Sequence, residues 1–476
     1  MSYNMTLPYQ TSTREFTRLA LNLLRDGTRD SAPPKGNLES SYGDDALDRF
    51  QTAASAAPRL ANWPTLAYAI AKLDTVDWQI GHSYPFIDKA STAHRLRTLY
   101  VDGAPAATPQ EQPAMIWTAE LALILAFGEW FQPVTTIGPE YFAKALTLLP
   151  RLDYAMTQLD LAVEVHALAA LYYQFIDQLG SAYKSIGDAI RIARLGGLHH
   201  QAAAVAGICD RPRVLWSSLY NLSQAICPLV GAPSDIKPIE CPVADWRMCW
   251  TLSEPEAKLT LHAAVSRECG YGFESLYGTR GMESPGAIAG RRAEPHLLMH
   301  GMRCVTLDGL GQSNALPNVK DRVLLLAFWC TILRSRPLVL DHLQILIQPD
   351  RENHRLRNQT EAQKNIVKES FMFAELSFWR LKNLRDSAVL GLLPLDVEHT
   401  YSAALALLCR PFVFPLVPNP SDTYYIQYAF DWLDEMSVKG NPVASRRKQD
   451  LQRFQTLLNS LKPRTQDTLV PSVLPN

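Results

Sequence analysis

The chain has 476 residues, of which 47% are hydrophobic and 20% charged, with a formal net charge of -1. That apolar fraction can bury a sizeable core and excludes wholesale disorder, which needs low hydrophobicity and high net charge. The balanced charge excludes a broadly basic nucleic-acid binder and leaves room only for local basic patches.

Residues 12–24 open the helical pattern. Ser12 and Glu15 have capping-box spacing, and Phe16, Leu19, Ala20, Leu23 and Leu24 recur at helical intervals. The spacing predicts an amphipathic terminal helix docked on the body. Arg14, Arg18 and Arg25 would suit a mitochondrial presequence, but Glu15 and Asp26 argue against one. The polar stretch 26–41, DGTRDSAPPKGNLESS, reads as a linker. Residues 1–43 are therefore expected to form a helix with a flexible linker. From about Asp44 to Leu461 the pattern is helical almost throughout, and 462–476, with three prolines, is expected to be a disordered tail.

Residues 154–230 carry the clearest periodicity. Leu159, Val163, His166, Ala170 and Tyr173 form one stripe, and Leu161, Val165, Leu168, Tyr172 and Phe175 fill the next, so this helix is predicted to be central. A turn is expected at Gln178–Ser181. A second helix with Ile186 and Ile190 on its apolar face follows and stops at Gly196-Gly197. Pro212 suits the first turn of a third helix, which Gly231-Ala232-Pro233 ends. Further helices are predicted at 256–269, 319–334, 357–385, 397–408, 424–436 and 443–461, with a Gly-rich surface loop at 271–290. The hairpin at 157–195 has no second copy, so a repeat solenoid is not indicated. The fold expected is all-α, one large multi-helix domain. The most apolar stretch, Leu324–Leu333, is about half the ~20 residues that span a bilayer, so no membrane segment is expected.

Signatures of chemistry are sparse. The chain lacks a Gly-x-Gly-x-x-Gly turn, a phosphate-binding loop and a Gly-x-Ser-x-Gly elbow. His296 and His300 share i, i+4 spacing, and His262 and Cys304 could join them, but no Glu follows the first histidine as a zinc hydrolase requires. His199-His200 reads as a pair serving late carbonyls at a helix C-terminus. Asp44-Asp45, and Asp74 with Asp77, read as helix starts and solvated turns. Arg211 with Arg213, Arg291-Arg292 and Arg446-Arg447-Lys448 are the tight basic clusters, and the last reads as a solvated helix face. No enzyme activity, metal site, cofactor or direct sequence-specific DNA binding is expected. The eight cysteines all lie beyond residue 208, lack metal-ligand spacing and read as reduced core thiols.

The stretch ARLGGLHHQ (193–201) with DRPRVLWSSLYNLSQAICPLVGAPSDIKPIECPV (210–243) resembles the regulatory middle region of fungal zinc binuclear-cluster transcription factors. The signature elements are Gly197-Leu198-His199, Arg211 and Arg213 with Leu215-Trp216, and Gly231-Ala232-Pro233 followed by Ile239 and Pro242. The helix pair upstream is similar too, making 154–243 the signature region. Looser likenesses at YPFID (84–88), LALILAFGEWF (121–131), ILRSRPLVL (332–340) and GNPVASRRKQDLQRFQTLL (440–458) extend it over about 60–460. Ala232 stands where the family carries Arg. The family's six-cysteine DNA-reading cluster has no counterpart, because residues 1–208 contain no cysteine.

The resemblance implies a nuclear transcriptional co-regulator of a metabolic or secondary-metabolite gene cluster. It would act through contacts with other transcription factors or the transcription machinery, with a possible small-molecule effector held between helices. Gly197, Leu198, His199, Arg211, Arg213, Trp216, Gly231 and Pro233 are its structural or regulatory signature residues. Two other readings stand beside it: a fragment of a DNA-binding activator whose zinc exon lies upstream, and a helical small-molecule-binding protein with no role in transcription.

Overall fold

A computed structural model describes residues 13–27, 63–81, 83–101, 112–131, 138–150, 158–204, 209–241, 254–277, 317–347, 361–386, 393–414 and 419–466. Among them every regular element is helical. The first is α1 (Thr13–Gly27), followed by α2 (Leu66–Ile80), α3 (Lys89–Leu99), α4 (Gln112–Trp130) and α5 (Gly138–Leu148). Next come α6 (Leu159–Phe175), α7 (Leu179–Leu195), α8 (Leu198–Ala204), α9 (Arg211–Val230) and a 3-10 turn at Pro238–Glu240. The chain continues through α10 (Glu254–Tyr277), α11 (Pro317–Ile347), α12 (Glu361–Asp386), α13 (Pro394–Val413), α14 (Pro420–Val438) and α15 (Pro442–Gln466).

The apolar side chains gather into two large cores. The first is built by α2 to α9. Every residue of α6 from Leu161 to Tyr172 is buried, as two adjacent apolar stripes require. Phe142 stacks on Tyr172 at 4.1 Å, and Phe127 meets Tyr172 and Phe175 edge-on at 5.2 and 5.4 Å. The second core is built by α11 to α15 together with α1, whose Phe16, Ala20, Leu21 and Leu24 are buried in it. A small third cluster, including Leu179, Leu229, Phe273 and Trp329, joins the two lobes through α7, α9, α10 and α11.

Several predicted boundaries move, each for a physical reason. The α6–α7 turn falls earlier than Gln178–Ser181: Leu179 is buried and already opens α7. The reversal is made by Asp177 at φ 61°, a conformation that Asp tolerates better than most residues. The expected Gly-rich loop from 271 is helical to Tyr277. Its glycines permit close packing: a Cβ on Gly270 would lie 2.1 Å from the Tyr220 hydroxyl. Helix α11 passes the predicted end at Arg334 and runs through Pro337 to Ile347. An internal proline costs about 3 kcal/mol. Burying Leu338, Val339, Leu340 and Leu343 beyond it outweighs that cost at roughly 1.5–3 kcal/mol each. The apolar stretch is therefore longer than Leu324–Leu333: Asp321–Gln344 has the length and composition to cross a membrane, yet 89% of its most apolar window is buried inside the protein.

Candidate functional site

The signature stretch folds into one interlocked corner of the first lobe. Gly196 and Gly197 do different jobs: a Cβ on Gly196 would strike Leu159 at 2.3 Å, whereas Gly197 turns the chain at φ 70°. Helix α8 starts immediately, with Leu198 fully buried. His199 and His200 therefore occupy the first turn of a new helix, which corrects the expectation of a C-terminal carbonyl cap. Their rings lie 3.9 Å apart, and His199 faces Trp216 at 5.7 Å. Partial burial and then the nearby His200 and Arg194 push the His199 pKa down.

Trp216 is buried and donates from Nε1 to the Glu240 carbonyl at 3.0 Å. The Glu240 carboxylate pairs with Arg194 at 3.0 Å, and the Arg194 guanidinium lies over the Trp216 ring. Arg213 Nε donates to the Ala202 carbonyl at 3.2 Å, tying α9 to α8. At the far end of α9, Gly231 caps the helix at φ 71°, and the Pro233 carbonyl accepts from the Tyr183 hydroxyl at 3.3 Å. Ile236 is the buried isoleucine of the tail, whereas Ile239 is exposed. Pro242 lies outside the described residues.

Arg211 leaves this corner for a buried network. It donates to Glu164 at 2.7 Å, while Arg95 and Thr92 hold Glu120 on the opposite side. Burial first, and the neighbouring Glu120 charge second, push the Glu164 carboxyl well above the usual range. Two carboxylates thus share one pocket of the first lobe, with an arginine on each flank.

The seam between the lobes holds a second network. Arg446 pairs with Asp177 at 2.7 Å. Arg447 is 2% exposed, grips Glu398 at 2.6 Å and lies over the Tyr401 ring. The 446–448 cluster is thus not a solvated face. Arg447 shares the stripe of Val443, Leu451 and Phe454, so helical spacing sends it inward. Nearby, Arg336 donates to Thr13 at 3.0 Å and to Ser402 at 2.9 Å, and Thr17 bonds Tyr401 at 2.7 Å.

Beside that seam lies a cleft with two compartments. The inner one is a cavity of about 20 Å³, with room for one water-sized group, bounded by Gln174, His262, Arg322, Asp396 and His399. Arg322 meets both Asp396 oxygens at 3.1 Å. Burial, followed by the Arg322 charge, lowers the pKa of His262 to about 4 and of His399 to about 3. Neither His399 ring nitrogen has a hydrogen-bond partner, nor does the Gln174 amide nitrogen. A neutral imidazole both donates and accepts, so it can bind a polar group without demanding a counter-charge.

The outer compartment is a groove of about 400 Å³ with Trp78, Pro85, Lys89 and Leu259 among its walls. Asp74 and Asp77 stand at this groove and share Lys89, at 2.9 and 3.5 Å. Of the proposed metal candidates, His262 lies in the cleft, whereas His296, His300 and Cys304 fall outside the described residues, as do Asp44-Asp45 and Arg291-Arg292. Among the described residues, no three His, Cys, Asp or Glu side chains are grouped to hold a metal. Among the described residues, five cysteines are buried thiols and Cys209 is exposed.

No protein-family model matches the chain, and no curated protein matches it.

Proposed function

We propose that this protein is a nuclear transcriptional co-regulator that acts through protein contacts and takes a small-molecule effector between its helices. The observation that carries this reading is the signature stretch 193–243, whose Gly197, Leu198, His199, Arg213 and Trp216 pack as one unit inside an all-α body. In this reading the corner is structural, and regulation comes from how the two lobes sit on each other. A surface suited to a partner lies on α12. Met372, Leu376 and Trp379 are exposed at i, i+4, i+7 spacing, with Lys368 and Lys382 also exposed on that helix. An acidic amphipathic helix complements such a stripe in both shape and charge.

The test is to purify the tagged protein from nuclei and to profile transcripts in a strain lacking it. Co-purification of transcription factors, lost on Trp379→Ala, with coordinated change in a set of metabolic genes, is the expected result. A cytosolic protein whose deletion leaves transcripts unchanged overturns the reading. The cleft favours the second reading, a small-molecule-binding protein without a transcriptional role, and that outcome would select it.

A further inference from the structure

The cleft between the lobes states what it would bind more closely than the effector reading requires. Its outer groove of about 400 Å³ falls within the ~300–1,000 Å³ of ordinary ligand sites. Ser83 and His262 line both compartments, so the two adjoin at those residues. The inner one has space for one polar group only.

In the inner cavity the charges are already matched, because Arg322 is paired with Asp396. A charged group there would have to break that pair or be buried without a partner, and either is costly. Uncharged polar groups, by contrast, are in demand. His399 is 3% exposed and Gln174 2% exposed, and each has a side-chain nitrogen with no hydrogen-bond partner. Buried polar atoms left in that state cost about 1–3 kcal/mol each, so the cavity favours a group that donates and accepts at once. In the groove, Trp78 is 56% exposed and Leu259 lies in its wall, a surface for a flat apolar body.

We infer that this cleft binds a neutral, hydroxylated aromatic molecule, with its ring in the groove against Trp78 and its hydroxyl in the cavity at His399 and Gln174. Such a ligand would touch α2, α6, α10 and α13 together and so report on the lobe–lobe arrangement. The regulatory consequence rests on the co-regulator reading; the binding does not.

The experiment is equilibrium dialysis of the full chain with 2-naphthol, naphthalene and 2-naphthoate as probes. 2-Naphthol should bind roughly tenfold or more tighter than naphthalene, because only it satisfies the buried nitrogens. 2-Naphthoate should bind more weakly than 2-naphthol. His399→Leu and Gln174→Leu should each bring 2-naphthol towards naphthalene while leaving naphthalene unchanged, and Trp78→Ala should weaken both. If His399→Leu loses its cooperative melting, Gln174→Leu carries the comparison. Equal affinity for 2-naphthol and naphthalene, tighter binding of 2-naphthoate, or no saturable 2-naphthol binding below about 1 mM overturns the inference. Those results leave the transcript and pull-down outcomes untouched, so the two readings fail separately.

Discussion

The two lobes handle buried charge differently. The first lobe keeps its network inside one core, where Arg95 and Arg211 flank Glu120 and Glu164, and burial and the neighbouring Glu120 push the Glu164 carboxyl well above the usual range. The second lobe carries its network to the boundary: from α15, Arg447 pairs with Glu398 of α13 inside the lobe, and Arg446 reaches across to Asp177 of the first lobe. An interior network costs desolvation and returns local order. The Arg446–Asp177 pair is satisfied only when both lobes are in register, so it specifies their arrangement as well.

The sharpest way to break this contrast is Arg447→Ala, which leaves Glu398 buried without its cation. Urea unfolding should show a loss of about 3–5 kcal/mol. The paired change Arg447→Met with Glu398→Leu should recover most of it; if it does not, Arg447 contributes more than its pairing with Glu398.

Acid should attack the cleft next. His262 and His399 resist protonation in the folded state, with pKa values lowered to about 4 and about 3. Between pH 6.5 and 4 the unfolded chain takes up protons that these rings refuse. Their contribution is therefore complete above about pH 6.5 and lost as pH falls, by about 3 kcal/mol for His262 alone. Glu164, Glu398 and Asp396, raised by burial, act in the opposite sense. The measurement is therefore the difference in slope between the wild type and His262→Gln over that window, and identical slopes would contradict it.

Smaller effects separate interior from boundary further. Gly231→Ala forces φ 71° on a residue with a Cβ, and its melting midpoint should fall by the equivalent of about 1–2 kcal/mol. Glu164→Gln keeps the shape and an acceptor for Arg211 while removing a charge that burial disfavours, so its stability should stay within about 1 kcal/mol of the parent. A loss comparable to Arg447→Ala would mean that the two networks are alike after all. Least of all, Glu435→Ala removes a partly exposed partner of Arg385 and should cost under about 1 kcal/mol.

The helical character and most element positions were legible in the sequence because apolar residues at 3.6-residue spacing report burial directly. The corner around Trp216 was legible too, since Gly197 and Gly231 mark its turns. The cleft was not. His262 sits in LTLHAAV and reads as one polar residue on a buried face, and His399 sits among the polar residues of DVEHTYS, where nothing singles it out. Only tertiary packing brings them to the same cavity with Gln174 and Arg322. Arg447 could have been found: its register with Val443, Leu451 and Phe454 places it inward, but the adjacent Arg446 and Lys448 disguised it as a surface run. The extra length of α10 was hidden because glycine serves close packing as readily as a turn.

Helix α1 completes the C-terminal core, and its Thr17 bonds to Tyr401, 384 residues further along. On the ribosome this segment emerges long before any of its neighbours exist. At about 5–20 residues per second it waits roughly 20–80 s with Phe16, Leu21 and Leu24 uncovered. The first lobe can mature during that interval, while the early amphipathic segment remains a natural client for a holdase chaperone until α11 to α15 have been synthesised.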